Sequence, residues 1–173
     1  MTRLETERLI LRGPLAADLP AWLAFFLSAR AIYVGGGPRI DEGRAWRAFA
    51  TIIGHWTING CGPFVLEDRA SGRALGSAGP WYPALWPEKE LGWTIWRPEA
   101  EGQGLAHEAV VALRARTYRD LGWPTAVSYI DARNTRSIAL AERLGAVRDT
   151  TAEAPPDDDP TLVYRHPAPE VLQ

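Results

Sequence analysis

The segment "WRPEAEGQGLAHEAV", residues Trp96 to Val110, places two glycines around one glutamine immediately before a run of helix-forming residues. The first N–H groups of a helix have no partner within the helix, and the helix dipole adds partial positive charge there. Glycines at such a start let the backbone approach a ligand closely. The pattern predicts either an anion site, most often for phosphate, or a tight strand-to-helix turn that binds nothing.

Two common phosphate-binding loops do not fit this segment. A Walker loop requires Gly-Lys-Ser/Thr, whereas Gly104 is followed by Leu105 and Ala106. A dinucleotide-binding fingerprint requires Gly or Ala at its third glycine position, where this chain has His107. That fingerprint also belongs to the first strand–helix unit of a domain, which lies elsewhere in this sequence. A plain dinucleotide-binding module is therefore a weak alternative.

The composition indicates one globular domain over residues 1–173. A chain of 173 residues is long enough for a core of its own, and 46% apolar with 23% charged residues is typical of globular proteins. A net charge of −2 argues against a broad basic surface, so no nucleic-acid partner is expected. The single cysteine, Cys61, cannot form an intrachain disulfide, and no Cys/His spacing typical of zinc sites occurs. No metal is therefore predicted.

The apolar segments are too short for a membrane protein. The first 13 residues, "MTRLETERLILRG", lack the apolar segment of a signal peptide. The longest apolar stretch, "AWLAFFL", cannot span a bilayer. We therefore expect a cytoplasmic protein without a membrane partner. Its oligomeric state, monomer or homodimer, does not follow from the sequence.

Hydrophobic periodicity and turn residues predict the element order β-α-α-β-β-β-α-β-α-β-β. The seven predicted strands are "TERLILR", "GPFVLED", "RALGSAGPW", "KELGWTIW", "TAVSYID", "AVRDT" and "TLVYRH". Two helices precede the second strand, a third runs from Gln103 to about Leu121, and a fourth from Asn134 to Leu144. The second helix is expected to turn five residues inward: Ala45, Trp46, Phe49, Ile52 and Ile53. This order predicts an α+β fold in which helices cover a mixed sheet.

The segment "EGQGLAHEA" resembles the pyrophosphate loop of the GNAT superfamily of acetyl-CoA-dependent N-acetyltransferases, whose pattern is Gln/Arg-x-x-Gly-x-Gly/Ala. Glu101 is acidic where the pattern has Gln or Arg, a change that leaves the backbone N–H groups intact. Three further segments, "TERLILR", "ELGWTI" and "NTRSIALAERLGA", are similar to the branch typified by ribosomal-protein N-terminal acetyltransferases. Together they cover residues 4 to about 150 in the family's order.

The resemblance implies a mixed, mostly antiparallel central sheet with helices on both faces and a splay between the fourth and fifth predicted strands. It implies an acetyl-CoA-dependent N-acetyltransferase whose acceptor is the primary amine of a protein N-terminus or of a small molecule. A non-catalytic acyl-CoA-binding or sensing protein on the same fold is the alternative. Acetyl-CoA is the implied co-substrate.

The resemblance and the strand pattern together assign the cofactor site. The end of the fourth predicted strand would pair with the pantetheine arm through its backbone, as an added peptide strand would. Asn134 would both cap a helix and bond to the arm, and Arg143 would reach a CoA phosphate. The remaining predicted cofactor residues are Trp93, Thr94, Ile95 and Trp96 on the strand, and Glu101, Gly102, Gln103, Gly104, Leu105 and Ala106 in the loop.

Amide formation requires a neutral amine, so a general base is expected. Glu90 opens the strand that points at the thioester and is the predicted base. Many family members carry a Tyr acid where this chain has Ala141, and Ser137 is the nearest hydroxyl in the pattern. Tyr129 and Tyr164 are reserve candidates for the acid. The aromatic loop from Trp81 to Trp86 is expected to line the acceptor pocket.

Overall fold

An eight-stranded sheet runs through the chain in the order β1-β2-β3-β4-β5-β6-β8-β7. The computed structural model describes residues 3–156 and 160–171. The strands are β1 (Arg3–Glu5), β2 (Leu9–Arg12), β3 (Phe64–Asp68), β4 (Ala74–Trp81), β5 (Glu90–Ile95), β6 (Val127–Asp131), β7 (Val147–Arg148) and β8 (Thr161–Arg165). The α-helices are α1 (Leu19–Phe26), α2 (Glu42–Asn59), α3 (Leu105–Leu121) and α4 (Thr135–Arg143). Short 3-10 turns cover Ala16–Asp18, Ala29–Val34, Pro98–Ala100 and Pro169–Val171.

The sheet is mixed but mostly antiparallel, as predicted. In the part of the chain that the structure describes, only β5 and β6 pair in parallel, and α3 provides the crossover connection that a parallel pair requires. The other neighbours are antiparallel within the described residues. The parallel pair therefore joins two antiparallel parts of the sheet, β1–β5 on one side and β6, β8 and β7 on the other.

Helices cover both faces of the sheet, which confirms the predicted α+β architecture. Strand alternation places Leu9 and Leu11 on one face with no exposed surface. That face packs against α3 and α4 through Leu105, Ala109, Val110, Leu113, Leu140 and Leu144. The other face packs against α1 and α2 through Trp22, Phe25, Phe26, Ala45, Phe49 and Trp96. Because both faces are covered, β4 is buried along nearly its whole length.

The predicted splay lies between β5 and β6. Their backbones pair only at Glu90 and Val127, where the Val127 N–H donates to the Lys89 carbonyl at 3.0 Å. One residue further on, the Ser128 hydroxyl donates to the Leu91 carbonyl at 2.6 Å. A side chain thus takes the acceptor that the next ladder bond would use, and the strands separate beyond it.

A buried chain of hydrogen bonds supports Ser128 at the point of separation. His166 places Nε2 2.9 Å from Ser128 Oγ, and Arg114 Nη1 lies 3.2 Å from His166 Nδ1. Burial, followed by the charge of Arg114, lowers the pKa of His166 to about 3, so the imidazole is neutral. Since Arg114 can only donate to Nδ1, we assign the proton to Nε2, which donates to Ser128. The hydrogen bonds then run in one direction, from Arg114 to His166, from His166 to Ser128, and from Ser128 to the Leu91 carbonyl.

Three sequence-based expectations differ from the structure. The strand predicted over "TERLILR" is shorter than expected: residues 6–8 form a turn, β2 covers only Leu9–Arg12, and the unpredicted strand β1 (Arg3–Glu5) precedes the segment. The strand predicted over "AVRDT" has only two residues, Val147–Arg148. Trp46 is 53% and Ile53 37% exposed, so their predicted inward orientation is wrong.

No helix within the described ranges is both long and apolar enough to cross a bilayer.

Candidate active site

A cavity of about 740 Å³ opens where β5 and β6 separate. It is walled by these two strands, by the start of α4, by α1 and α2, and by the 3-10 turn Ala29–Val34 with its following glycines. Glu90, Trp93, Thr94, Asn134 and Ser137 all line it. The fold therefore brings together residues that the sequence assigned separately to the cofactor and to catalysis.

Glu90 lies at the closed end of the splay. Its Oε2 accepts a hydrogen bond from the Trp86 indole N–H at 2.6 Å. Gly92 faces the same side of the strand, where an added Cβ would lie 3.4 Å from Glu90 Oε1. Burial raises the pKa of Glu90 to about 7, and the hydrogen bonds from Trp86 and from the Tyr129 backbone only partly offset it. A carboxyl group with this pKa can accept a proton near neutral pH.

The hydroxyl groups around Glu90 differ in their surroundings. Tyr129 lines the same cavity and accepts a hydrogen bond from the Glu88 N–H at 3.1 Å. Burial raises the pKa of Tyr129 to about 12, so the phenol stays protonated. Ser137 accepts from the Trp93 indole N–H at 3.2 Å. Tyr164, the other reserve candidate, points its hydroxyl toward Glu142 at 3.5 Å and does not line the cavity.

The loop before α3 presents backbone N–H groups without partners. Gly104 is the N-cap of α3 with φ +77° and forms no side-chain cap, and Gly102 has φ +72° with open space around its Cα. Such angles favour glycine. Among the described residues, the N–H groups of 102–106 have no acceptor. The loop therefore has the free donors that an anion requires.

Side chains in this loop hold its shape. Gln103 turns back to donate to the Glu99 carbonyl, and Arg8 Nη1 donates to the Gln103 carbonyl at 2.9 Å. Leu105 is buried in the core beneath α3, and Ala106 packs partly against the same core. Gln103, Leu105 and Ala106 would therefore contact a ligand through their backbone N–H groups.

Glu101 is paired with two arginines. Its carboxylate accepts hydrogen bonds from Arg30 and from Arg136. Partial burial raises the pKa of Glu101, but the bonds from the two arginines outweigh it and the net shift is downward. The carboxylate is ionised and paired at neutral pH.

The end of β5 offers backbone groups to the gap. Trp96 N–H donates to the Leu75 carbonyl of β4 at 2.7 Å, so the alternation of an antiparallel ladder turns Trp93 and Ile95 toward β6. Thr94 pairs with Ser77 on the β4 side, with 3.0 Å between the hydroxyl oxygens. Trp93 and Ile95 therefore lie at the splayed edge, whereas Thr94 and Trp96 direct their backbones away from it.

Asn134 and Arg143 lie at different places around the loop. Asn134 is the N-cap of α4: its Oδ1 accepts from the Ser137 N–H at 3.2 Å, which leaves the amide donor directed at the cavity without a partner among the described residues. Arg143 lies outside the main cavity, in a shallow groove beside Gly104, His107 and Arg8. It approaches the loop from the α3 side.

Several site residues were not identified from the sequence. Trp86 was expected only as an aromatic wall, yet it holds Glu90 directly. Arg30 lies 71 residues before Glu101 in the sequence and Arg136 lies 35 residues after it, yet both bind its carboxylate. The acidic residue at position 101 was the available signal, because a partly buried carboxylate requires cationic partners. In the described part of the chain, no group of three or more His, Cys, Asp or Glu residues could hold a metal ion.

Comparisons with known proteins agree with this geometry. A family model described as an acetyltransferase (GNAT) domain matches residues 8–147. An acetyltransferase from Agrobacterium tumefaciens str. C58 is 40% identical with a TM-score of 0.86, over 96% of this chain and 94% of that one.

Two more distant structures share the fold. A GNAT-family acetyltransferase from Bacillus anthracis is 17% identical with a TM-score of 0.77, over 98% of this chain and 99% of that one. The ribosomal-protein-S5-alanine acetyltransferase from Vibrio fischeri is 14% identical with a TM-score of 0.70, over 95% and 96% respectively. The family match spans most of the chain, and the protein is an N-acetyltransferase that belongs to the GNAT family.

Proposed function

We propose that the protein transfers the acetyl group of acetyl-CoA to a primary amine, with Glu90 as the general base. One observation carries the proposal: the Glu90 carboxylate, with a pKa of about 7, lies in the cavity that opens at the splay. A base with a pKa near the working pH transfers protons efficiently.

The residues present fit acetyl-CoA as the co-substrate. The free N–H groups of residues 102–106 and the positive end of α3 suit its diphosphate. The edge of β5 at Trp93 suits the amides of its pantetheine arm, and the free amide donor of Asn134 lies on the opposite wall. When bound, acetyl-CoA supplies the thioester whose acetyl carbon the amine attacks.

The chain's own residues would then move the protons. Glu90 takes a proton from the incoming ammonium group, while the indole of Trp86 keeps the carboxylate in place. The Ser137 hydroxyl accepts from Trp93 and keeps its own proton available for a hydrogen bond to the departing sulfur. A thiolate with a pKa of about 8.5 leaves with little help at neutral pH, so no side chain has to act as an obligatory acid.

The acceptor end of the cavity is aromatic. Trp81, Trp86 and Tyr129 line the cavity near Glu90, and aromatic faces attract a cationic amine. We propose an acceptor that carries a primary amine, either a protein N-terminus or a small molecule. The name of the Vibrio fischeri structure, with its ribosomal-protein alanine, supports the first class.

The test is an assay of CoA release with acetyl-CoA and a panel of amines that contains both N-terminal peptides and small amines. We expect amine-dependent release and an acetylated product detected by mass spectrometry. Binding of acetyl-CoA without turnover of any amine would contradict the proposal. A matched binding experiment with NAD should show no interaction, because His107 occupies the third position of the dinucleotide fingerprint.

A further inference from the structure

Two arginines from different elements share the Glu101 carboxylate. Arg30, from the 3-10 turn Ala29–Val34, donates through Nε at 2.8 Å and through Nη2. Arg136, from the first turn of α4, donates to the other carboxylate oxygen. The two guanidinium groups and the carboxylate leave one net positive charge beside the loop. The group formed by Glu101 and its two arginines is therefore positively charged.

Arg30 serves as the anchor of this group. Its Nη1 donates to the Trp96 carbonyl at 2.7 Å and its Nη2 to the Ile95 carbonyl at 2.8 Å. The guanidinium also lies 5.4 Å from the ring centroid of Phe25. Since an arginine has five N–H donors, these contacts leave Arg30 few donors for a ligand. Its effect is to hold Glu101 at the end of β5.

Arg136 has most of its donors free. Its side chain is 82% exposed, and within the described residues its hydrogen bonds go to Glu101 alone. It is the second residue of α4, where the helix dipole disfavours a cation. The helix gains nothing from a positive charge there, and the pairing with Glu101 keeps that charge beside the loop whose N–H groups have no acceptor among the described residues.

We propose that Arg136 binds the diphosphate of acetyl-CoA and that Glu101, neutralised by Arg30, positions it. The inference rests on the proposed use of acetyl-CoA. It also accounts for an acidic residue at the opening position of the loop: the carboxylate orients a cation that comes from α4. Charge-assisted bonds from a guanidinium to a phosphate are stronger than neutral ones and are weakened by salt.

The experiment measures the affinity of the full chain for CoA and for pantetheine, which lacks the phosphates. Arg136→Gln should weaken CoA binding about tenfold at low salt and change pantetheine binding less than twofold. The tenfold loss should shrink as NaCl is raised. Arg119→Gln is the control, since this exposed arginine lies in the last turn of α3 and pairs with Asp120. Unchanged CoA affinity, or equal losses for CoA and pantetheine, would overturn the proposal.

The positioning role of Glu101 is tested by repeating Arg136→Gln in the Glu101→Gln background. If Glu101 acts through Arg136, the tenfold loss should fall to about threefold or less, because interacting residues are not additive. Glu99→Gln removes an exposed carboxylate of the same segment that pairs with Arg73, and it should leave the tenfold loss intact. An undiminished loss in the Glu101→Gln background overturns the positioning role.

The two proposals fail in different ways. A wild-type chain that acetylates amines while Arg136→Gln binds CoA normally overturns only the role of Arg136. A wild-type chain that neither binds CoA nor acetylates any amine overturns the proposed function itself.

Discussion

At the scale of single residues, Glu90→Gln separates catalysis from binding. The amide keeps the shape and the bond from Trp86 can be replaced by one to the amide oxygen, but basicity is lost. We expect kcat to fall about a hundredfold or more with acetyl-CoA affinity nearly unchanged, and the limb of kcat/KM that rises through pH 7 to vanish. Ser137→Ala should cost about tenfold or less. Steady-state kinetics over a range of pH checks both, and a larger loss for Ser137→Ala would reverse the assignment.

The raised pKa of Glu90 also predicts how stability depends on pH. The folded protein holds the proton up to about pH 7, whereas an unfolded chain releases it near the ordinary glutamate pKa of 4.5. Wild-type stability should therefore fall as pH rises from about 4.5 to 7, relative to Glu90→Gln. The two melting temperatures should agree at pH 4 and differ at pH 8, with the variant higher. An equal difference at both values would show that packing, not ionisation, is responsible.

Asn134 combines two tasks that one substitution can separate. Asn134→Asp keeps the oxygen that accepts the Ser137 N–H but removes the amide donor. We expect weaker acetyl-CoA binding with little change in melting temperature. Asn134→Ala, which removes the cap as well, should also lower stability by about 1 kcal/mol. Calorimetric titration and thermal melting measure the two effects, and equal affinity in Asn134→Asp would leave only the capping role.

At the scale of elements, Ser128 links β5 and β6 at the closed end of the splay. Its hydroxyl donates to the Leu91 carbonyl and accepts from His166, and it is buried. Ser128→Ala leaves both partners unpaired, which should cost about 1–3 kcal/mol of unfolding free energy. Thr57→Ala, whose exposed hydroxyl bonds only its own helix at 3.3 Å, should cost far less. Denaturant titration compares the two, and similar losses would argue against a special role for Ser128.

Helices and strands also differ in how much of their orientation the sequence reveals. The β2 alternation places Leu9 and Leu11 in the core, as the period of two predicts. In α2 the residues Ala45 and Phe49 are buried, but Trp46 and Ile53 are exposed. Trp46 and Ile53 both lie within the broad apolar stripe that helical periodicity allows on α2. The packing of α1 against α2 decides which side of that stripe is buried.

At the scale of the whole molecule, acetyl-CoA should join the two halves of the sheet. The ligand would fill the gap that β5 and β6 leave and would satisfy the free N–H groups of residues 102–106. At a concentration one hundred times Kd, it should stabilise the fold by about 2.7 kcal/mol. A thermal shift with acetyl-CoA, together with slower hydrogen exchange at residues 102–106, checks this. A shift without that protection would place the ligand elsewhere.

The sequence by itself determined the parts of the site that depend on near neighbours. The glycine angles before α3 and the Asn134 cap follow from backbone conformation and from contacts three residues apart. The element order and the α+β class follow from periodicity and turn residues. The position of Glu90 at the start of its strand was also predicted from the segment "KELGWTIW", whereas its role as the base stays a proposal.

Only the tertiary structure decided the contacts between distant segments. Arg30 meets Glu101 across 71 residues, and Ser128 reaches Leu91 across 37. The burial that raises the pKa of Glu90 depends on the fold around it, and the approach of Tyr129 to Glu90 requires β5 and β6 to be neighbours although α3 separates them in sequence. Periodicity reports which face of an element is apolar, but charge pairing and burial depend on which elements the sheet order brings together.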